Sequence, residues 1–183
     1  MPKIIAIGGM PGTGKTTLMN RIITELTDDW EVAKPAQLLD SIYSEKLNAY
    51  ILGKYQPYYD GEGYAQGTDR LSMAVQPKAI EFLKETEANI IFEGDRLFTQ
   101  SFLEECESLG ETTIFILKVD SETLQERYDE RGSDQSEKFL QGRRTKYNNL
   151  MSNFVLMDCI EEVSNKNVDD QQKILKKVLT LLD

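Results

Sequence analysis

The sequence predicts an α/β fold of three layers, in which helices cover both faces of a parallel sheet of about five strands. Three observations lead to this prediction. Short apolar runs alternate along the chain with segments whose apolar residues recur at helical spacing. A glycine-bearing segment, residues 9–16, joins the first apolar run to the first helical segment. The 183 residues contain no internal repeat and no long Pro/Gly/Ser linker, so we expect a single domain over residues 1–183.

The first predicted elements lie on either side of the glycine-bearing segment. Residues 3–8 form a near-continuous apolar run, which is typical of a parallel strand covered on both faces. Beyond Thr16, apolar residues recur at the spacing of one helix face. Residues 28–70 are less regular, and within them residues 31–33 and 49–52 are candidates for short strands.

The second half of the chain alternates more clearly between helical and strand patterns. The predicted elements are, in order, a helix over residues 71–84, a strand over 89–92, a helix over 100–109, a strand over 112–119, helices over 121–131 and 136–151, a strand over 160–163 and a helix from residue 169. Pro77 either lies in the first turn of its helix or kinks it. Because strands that alternate with helices pair in parallel, we expect ligands at the carboxyl ends of the strands.

Residues 9–16 carry the strongest functional signal. They fit the phosphate-binding loop pattern of two glycines five positions apart, followed by Lys and Ser or Thr. In such a loop the backbone N–H groups surround phosphates, the lysine reaches the β- and γ-phosphates, and the hydroxyl holds Mg²⁺. The sequence therefore predicts a three-layer P-loop NTPase fold that binds ATP and Mg²⁺, with Thr16 on the metal. The predicted ATP-binding residues of the loop are Gly9, Met10, Pro11, Gly12, Thr13, Gly14, Lys15, Thr16 and Thr17.

A second candidate group follows the apolar run at residues 90–92. Acids placed directly after a buried strand stand at the carboxyl edge of a parallel sheet, beside the phosphate-binding loop. Glu93 can accept a proton from an attacking hydroxyl, and Asp95 can act on Mg²⁺ through water. Arg96 can hold an anionic acceptor or a phosphoryl oxygen. The alternative is a polar turn in which the arginine only pairs with the acids.

Basic residues cluster in two predicted helices farther along the chain. They are Arg127, Arg131, Arg143, Arg144 and Lys146. Guanidinium groups placed over a transferred phosphoryl group stabilise the charge on its oxygens, and the polar residues 132–136 suit a mobile connection. We therefore expect a helical lid over about residues 127–147, with the first two arginines catalytic and the next two near the acceptor. The alternative is an exposed basic face paired with nearby acids.

Tyrosines are concentrated in the less regular section. Six of the eight tyrosines are Tyr43, Tyr50, Tyr55, Tyr58, Tyr59 and Tyr64. Their rings can stack on bases, and Arg70 can hold a phosphate or a hydroxyl. We expect an acceptor-binding section over about residues 43–76, with Tyr64, Asp69 and Arg70 in contact with the acceptor. The alternative for each tyrosine is ordinary packing with its hydroxyl near water.

The composition excludes several functional classes. Histidine is absent, so a carboxylate is the expected proton acceptor. The two cysteines, Cys106 and Cys159, indicate neither a disulfide scaffold nor a zinc site. The formal net charge of -10 opposes indiscriminate binding to long nucleic acid. With no apolar run of membrane-spanning length and no charged leader, we expect a cytoplasmic protein without a membrane partner.

Three of these segments together resemble the P-loop kinases of the nucleoside and nucleotide monophosphate kinase type. The matching segments are residues 9–16, residues 92–96, and residues 124–132, which look like that family's arginine-bearing lid. The resemblance implies transfer of the γ-phosphoryl group of ATP to a nucleoside, a nucleotide or a similar small acceptor. It also implies that Arg127 lies beside ATP and that Asn165 and Asn167 line an adenine-binding loop after the last strand.

Two alternatives remain open. Residues 67–77, together with residues 93–96, look like small phage-encoded kinases, some of which are similar to kinases that phosphorylate 5-hydroxymethyluracil in DNA. That likeness implies that the acceptor is a DNA base turned out of the stack. The negative net charge of the protein opposes binding to such a DNA strand. A nucleotide-sensing ATPase or GTPase without a phosphoryl acceptor is the second alternative. Residues 165–169 nearly spell a guanine-reading Asn-Lys-x-Asp, but the aspartate falls one position late.

Overall fold

The structure is a computed structural model that describes residues 1–56, 67–68, 70–130, 132 and 135–183, with only the backbone for residues 67–68. Within these residues, seven strands form one sheet and two short strands form another. The strands of the main sheet are β1 (Lys3–Gly9), β2 (Glu31–Ala36), β3 (Leu39–Ser44), β4 (Ala49–Leu52), β7 (Asn89–Glu93), β8 (Glu111–Lys118) and β9 (Ile160–Ser164). The second sheet pairs β5 (Lys54–Tyr55) with β6 (Gly67–Thr68).

The main sheet has the strand order β2-β3-β4-β7-β1-β8-β9. The strands from β4 to β9 in this order are parallel, which confirms the predicted α/β fold. At one edge, β2 and β3 pair antiparallel, so the sheet has seven strands where the sequence predicted about five. The turn between these two strands contains Leu38, whose φ of 68° lies in the left-handed region.

The sequence pattern misses β3 because two of its buried positions are serines. Ser41 donates a hydrogen bond to the carbonyl of Ala33 at 3.1 Å, and Ser44 donates to the carboxylate of Asp29 at 2.6 Å. Hydroxyl groups that find such partners can be buried without a large penalty. Hydrophobic alternation alone therefore does not detect this strand.

Six α-helices lie in the described part of the chain, close to their predicted positions. They are α1 (Lys15–Leu26), α2 (Gln76–Glu85), α3 (Gln100–Leu109), α4 (Ser121–Glu130), α5 (Glu137–Met151) and α6 (Val168–Leu182). The prediction for α2 was five residues too long at its start, because Pro77 lies in the first turn. Proline has no N–H to donate and favours the first positions of a helix, so the chain before it is not helical.

The helices pack on the sheet in two separate hydrophobic cores. Along β1, the side chains of Ile4 and Ala6 belong to one core and those of Ile5 and Ile7 to the other. The first core includes side chains of α2, α3 and α5, and the second includes side chains of α1 and α6. Because successive side chains of a strand point to opposite faces, this alternation gives the three layers.

The parallel register brings the ends of β1 and β7 together. Ile7 is level with Glu93 on the neighbouring strand, so Glu93 lies beside the start of the glycine-bearing loop. This placement follows the rule that ligand sites form at the carboxyl edge of such sheets. Among the described residues, the helices lack the combination of length and apolarity that crossing a bilayer needs.

Candidate active site

The loop between β1 and α1 is tightly curled. Gly12 and Gly14 have φ values of 81° and 88°, a left-handed conformation that glycine adopts without strain. The N–H and the hydroxyl of Thr13 donate to the carbonyl of Met10 at 3.2 and 2.7 Å. A Cβ at Gly14 would lie 2.7 Å from the side-chain nitrogen of Asn165, so only glycine fits this position as it stands. The curl ends where Lys15 begins α1.

Lys15 folds back over the loop that precedes it. Its ammonium nitrogen lies 2.9 Å from the carbonyl oxygen of Gly9 and 3.3 Å from that of Met10. The positive charge is therefore held above the mouth of the loop, at the start of α1. A helix N-terminus with adjacent backbone N–H groups attracts anions, so this arrangement suits phosphate binding.

Side chains from α4, from α5 and from the segment between β9 and α6 hold the loop through its carbonyl groups. The contacts are Tyr147 Oη to Gly9 O at 2.7 Å, Tyr128 Oη to Pro11 O at 2.7 Å, Arg127 Nη1 to Gly12 O at 2.9 Å and Asn165 Nδ2 to Thr13 O at 2.6 Å. In a trans peptide, the next N–H points away from the carbonyl. Because these carbonyls face the protein side chains, the N–H groups that follow them point toward the inside of the loop. A phosphate site requires N–H groups in that direction.

The acidic pair lies at the end of β7. Glu93 is 3% exposed, and the hydroxyl of Tyr55 donates to its Oε1 at 2.8 Å. Asp95 is more open to solvent, and its Oδ1 accepts from Arg143 at 2.7 Å and from Lys146 at 3.3 Å. The two carboxylates thus differ: one is buried beside a phenol, and the other pairs with the cations of α5.

One cavity of about 410 Å³ joins the loop to the acidic pair. Lys15 and Thr16 line one part of it, and Glu93, Asp95 and Arg70 line another. The aromatic side chains in its wall come from α4 and α5. Candidate residues for the donor and acceptor therefore face the same space, although Asp95 is 86 positions from Gly9 in the sequence.

A neighbouring cavity of about 450 Å³ runs along α5. Lys138, Phe139, Arg143 and Lys146 line it, and the guanidinium of Arg143 lies 4.8 Å from the ring centre of Phe139. Burial lowers the pKa of Lys146, and the nearby Asp95 carboxylate opposes that shift. This face of the helix presents more positive than negative charge, so it can receive an anionic group.

The residues of the first cavity fit a magnesium ion carried by nucleotide phosphates. Mg²⁺ in such sites takes one or two protein ligands and fills its other positions with phosphate oxygens and water. The hydroxyl-bearing Thr16 and the carboxylate of Asp95 both line the cavity. The described residues contain no group of three or more His, Cys, Asp or Glu that could hold a metal by themselves. The donor set therefore suits Mg²⁺ bound together with a phosphate.

Three residues predicted to bind ATP are Arg127, Asn165 and Asn167, and in the described chain each of them makes hydrogen bonds to other parts of the protein. Arg127 bridges the loop at Gly12 to the carbonyls of Asn165 and Lys166, so its guanidinium binds backbone groups. Asn165 is fully buried, and its Oδ1 has no hydrogen-bond partner among the described residues. The side chain of Asn167 accepts from the N–H of Asp170 and caps α6. The roles of these residues in ATP binding stay predictions.

Two predicted acceptor residues contact other parts of the protein. Arg96 donates from Nε to the carbonyl of Leu71 at 3.3 Å, and Arg144 pairs with Glu137 of its own helix at 2.7 Å. Neither residue lines the two cavities described above. Three further predicted residues, Tyr64, Asp69 and Arg131, lie outside the described residues.

The first tyrosines of the predicted acceptor-binding section lie away from the cavity. Tyr43 and Tyr50 pack with ring centres 4.5 Å apart, and Tyr50 packs edge-on against Phe82 of α2 at 5.1 Å. Tyr50 is level with Ile90, near the start of β7, whereas the cavity lies at the strand's other end. Strand register therefore separates these two rings from the acids, and the assignment of residues 43–76 to the acceptor stays a prediction.

Two tyrosines that contact the loop are not among the residues predicted for the site. Tyr128 and Tyr147 are the two outside the tyrosine-rich section. Both lie within the predicted lid, residues 127–147, and Tyr147 shares a face of α5 with Arg143 four positions before it. These local signals pointed toward the site.

Comparisons with known proteins support the fold. A family model described as an AAA domain matches residues 5–149. The crystal structure of a gluconokinase from Sinorhizobium meliloti 1021 is similar, with a TM-score of 0.50, 16% identity, and coverage of 99% of this chain and 91% of that chain. At this identity the likeness concerns the fold alone.

Two further solved structures give lower scores. A sugar kinase from a Janibacter species has a TM-score of 0.49 and 14% identity, covering 100% of this chain and 95% of that chain. An uncharacterised protein from Eubacterium ventriosum has a TM-score of 0.46 and 13% identity, covering 98% of this chain and 99% of that chain. The comparison with curated proteins finds no match.

Proposed function

Because this chain belongs to the AAA domain family of P-loop proteins, we propose that it is a kinase that uses ATP and Mg²⁺ to phosphorylate a nucleoside, a nucleotide or a similar small acceptor. The observation that carries the proposal is the shared cavity. It has Lys15 and Thr16 on one side and Glu93 and Asp95 on the other. A phosphate-binding loop facing a buried carboxylate provides for both a donor and an acceptor.

On the donor side, the loop amides and Lys15 hold the β- and γ-phosphates. The ammonium lies 2.9 Å from the Gly9 carbonyl, so a small side-chain movement brings it to a phosphate at the loop. Thr16 and Asp95 would hold Mg²⁺, with Asp95 acting through water. When bound, Mg²⁺ offsets the negative charge of the β- and γ-phosphates.

On the acceptor side, Glu93 removes the proton from the attacking hydroxyl. The acceptor oxygen forms a bond to the γ-phosphorus while the bond from that phosphorus to the bridging oxygen of the leaving ADP breaks. The proton passes to the carboxylate of Glu93, which Tyr55 holds in place. Asp95 already pairs with Arg143 and Lys146, whereas the hydroxyl of Tyr55 orients Glu93 at the cavity, so we prefer Glu93 to Asp95 as the base.

Basic side chains of α5 bind the part of the acceptor that lies away from the attacking hydroxyl. Arg143 and Lys146 of α5 lie beside the cavity and can hold an anionic group of the acceptor. We also retain Arg127 and Arg131 as lid residues near the transferred phosphoryl group, and Arg144 as an acceptor residue. The remaining residues proposed to hold the acceptor are Tyr64, Asp69, Arg70 and Arg96.

Acceptor-dependent ATP consumption tests the proposed function. The panel should contain nucleosides, nucleoside monophosphates and oligonucleotides with hydroxymethylated bases, together with gluconate because a gluconokinase shares the fold. We expect turnover with a small acceptor, since the net charge of -10 disfavours a DNA strand. ATP hydrolysis that no member of the panel stimulates would instead favour a nucleotide sensor.

Lys15→Ala tests the donor side directly. Loss of this charge-assisted contact should weaken ATP binding by about 1.5–3 kcal/mol. Turnover should fall by about 10²- to 10³-fold, as when other donors to a developing charge are removed. Titration calorimetry with a non-hydrolysable ATP analogue and initial-rate kinetics measure the two effects.

Lys78→Ala is the matched control for this substitution. Lys78 is half-buried on α2, where it pairs with Glu81 away from both cavities, so its loss should leave both ATP binding and turnover unchanged. Unchanged turnover in Lys15→Ala would overturn the assignment of the donor site.

A further inference from the structure

The hydroxyl of Tyr147 makes two hydrogen bonds to one residue of the phosphate-binding loop. It donates to the carbonyl oxygen of Gly9 at 2.7 Å and accepts from the N–H of the same residue at 2.8 Å. Both residues are buried. The hydroxyl thus satisfies both backbone groups of the residue at which β1 ends and the loop begins.

The same carbonyl oxygen also accepts from Lys15. The Lys15 ammonium lies 2.9 Å from it, and a carbonyl oxygen has two lone pairs that can serve two donors. The side chain that is to bind phosphate and the hydroxyl from α5 therefore share one acceptor. When Lys15 turns to a bound phosphate, this oxygen loses one of these two donors.

We propose that Tyr147 is a positioning residue that keeps the Gly9 carbonyl hydrogen-bonded when Lys15 leaves it for the phosphates of a bound nucleotide. The inference rests on the proposed function, because it requires a nucleotide at the loop. Leaving a buried carbonyl without a donor is unfavourable, so a second donor already in place makes the departure of Lys15 easier. Tyr147 thereby raises nucleotide affinity without contacting the nucleotide.

The surroundings keep the Tyr147 hydroxyl in position and protonated. The ring of Tyr147 packs against that of Phe98 with centres 6.0 Å apart. Phe98 in turn lies against Gly8, where an added Cβ would be 2.2 Å from its ring. Burial raises the pKa of Tyr147 to about 12, so its hydroxyl carries a proton to donate at neutral pH.

Tyr128 provides a matched comparison. Its hydroxyl also donates to a loop carbonyl at 2.7 Å, but that carbonyl belongs to Pro11. Lys15 donates to the carbonyls of Gly9 and Met10 instead. Loss of the Tyr128 hydroxyl should therefore affect the loop without involving the movement of Lys15.

A double-mutant cycle of Tyr147→Phe and Lys15→Ala tests the proposal. The measured quantity is the affinity for a non-hydrolysable ATP analogue with Mg²⁺, by titration calorimetry. Tyr147→Phe should weaken binding about 3- to 10-fold when Lys15 is present, which is the net contribution of one hydrogen bond. In the Lys15→Ala background the same change should weaken binding of the analogue by less than about twofold, because no lysine has to leave the carbonyl.

The cycle separates the proposal from a purely structural role. A structural role would make Tyr147→Phe weaken binding by the same factor in both backgrounds, and that result would overturn the inference. Tyr128→Phe should show this equal factor, and coupling of Tyr128 to Lys15 as strong as that of Tyr147 would also overturn it. If Lys15→Ala binds the analogue as tightly as the wild type, the proposed function itself fails.

A measurement on the wild-type protein covers the case in which Tyr147→Phe does not fold. If Tyr147 stays on Gly9 when the nucleotide binds, the Gly9 N–H should be as protected from hydrogen exchange with the analogue as without it. Faster exchange of this amide in the presence of the nucleotide would show that the hydroxyl leaves together with Lys15, which contradicts the proposal.

Discussion

The two sides of the cavity are held together by different kinds of hydrogen bond. On the donor side, side chains such as Tyr128 and Asn165 bind backbone carbonyls of the loop. On the acceptor side, side chains bind one another, as in the Tyr55–Glu93 pair and the Asp95–Arg143 pair. The donor side is thus fixed to the main chain, whereas the acceptor side is a set of side-chain pairs.

This difference fits the two tasks of the proposed kinase. The phosphates of ATP do not vary, so a loop whose backbone is fixed in advance gains affinity from being pre-organised. Ion pairs that solvent reaches on one side are weaker than fully buried ones and can exchange partners with an incoming anionic group. Asp95, whose side chain is 48% exposed, is such a partner for Arg143 and Lys146. We therefore expect substitutions on the two sides to affect different kinetic parameters.

The largest effect should come from Glu93→Gln on the acceptor side. The substitution removes the proposed proton acceptor but keeps an oxygen for the hydroxyl of Tyr55. We expect kcat to fall by about 10²- to 10⁴-fold, the range for general acid–base catalysis, with little change in affinity for the ATP analogue. Initial-rate kinetics with the best acceptor of the panel and titration calorimetry measure the two quantities.

Asp95→Asn is the matched control for this prediction. It should lower kcat less than Glu93→Gln and should raise the Mg²⁺ concentration needed for half-maximal rate, since Asp95 is the proposed metal-side carboxylate. A large loss of kcat in Asp95→Asn alone, with Glu93→Gln near the wild type, would reverse the choice of base.

A smaller effect is expected from Gly14→Ala on the donor side. The left-handed φ of 88° disfavours any residue with a Cβ, and the new methyl group would meet the side chain of Asn165 at 2.7 Å. The free energy of unfolding should fall by about 1–2 kcal/mol, and the affinity for the ATP analogue should fall with it. Urea denaturation and calorimetry measure these changes.

Gly142→Ala provides the matching substitution in α5. Apart from its chain neighbours and the backbone of its own helix, no heavy atom of the described residues lies within 4 Å of a Cβ placed at Gly142, so the change should stabilise the helix by about 0.5–1 kcal/mol. It should leave nucleotide affinity unchanged. Equal effects of the two glycine substitutions would contradict the view that the donor loop depends on its backbone conformation.

The smallest effect concerns the loop between β9 and α6, which contacts Arg127. Hydrogen bonds from the Ser164 hydroxyl and the Lys166 N–H lower the pKa of Asp170 below its ordinary value of 3.8. The resulting contribution to the free energy of unfolding is fully present above the pKa that Asp170 has in the unfolded chain. It is lost as the pH falls through the lower pKa that Asp170 has in the folded chain. Asp170→Asn should therefore be less stable than the wild type at pH 6, and the difference should shrink at pH 3.

Urea midpoints of the two proteins at both pH values measure this prediction. A difference of the same size at pH 3 and pH 6 would show that the carboxylate charge of Asp170 does not support this loop.

Local patterns predicted most of the fold, and they located the glycine-bearing loop and the acids of the candidate site. The apolar runs located β1, β7, β8 and β9, and the periodic segments located the helices, with the proline-bearing α2 begun too early. The pattern failed at β3, where Ser41 and Ser44 are buried but hydrogen-bonded. The placement of Tyr43 and Tyr50 in the acceptor section stays a prediction, and strand register sets these two rings near the start of β7.

The sequence by itself determined the phosphate-binding loop and the acids after β7, because both depend on short segments whose backbone conformation is locally encoded. Only the tertiary structure decided which distant side chains hold that loop. Tyr147 is 138 positions from Gly9, and nothing in the spacing of residues indicates that they touch. Such contacts depend on strand order, helix packing and side-chain direction together, and these are properties of the whole fold.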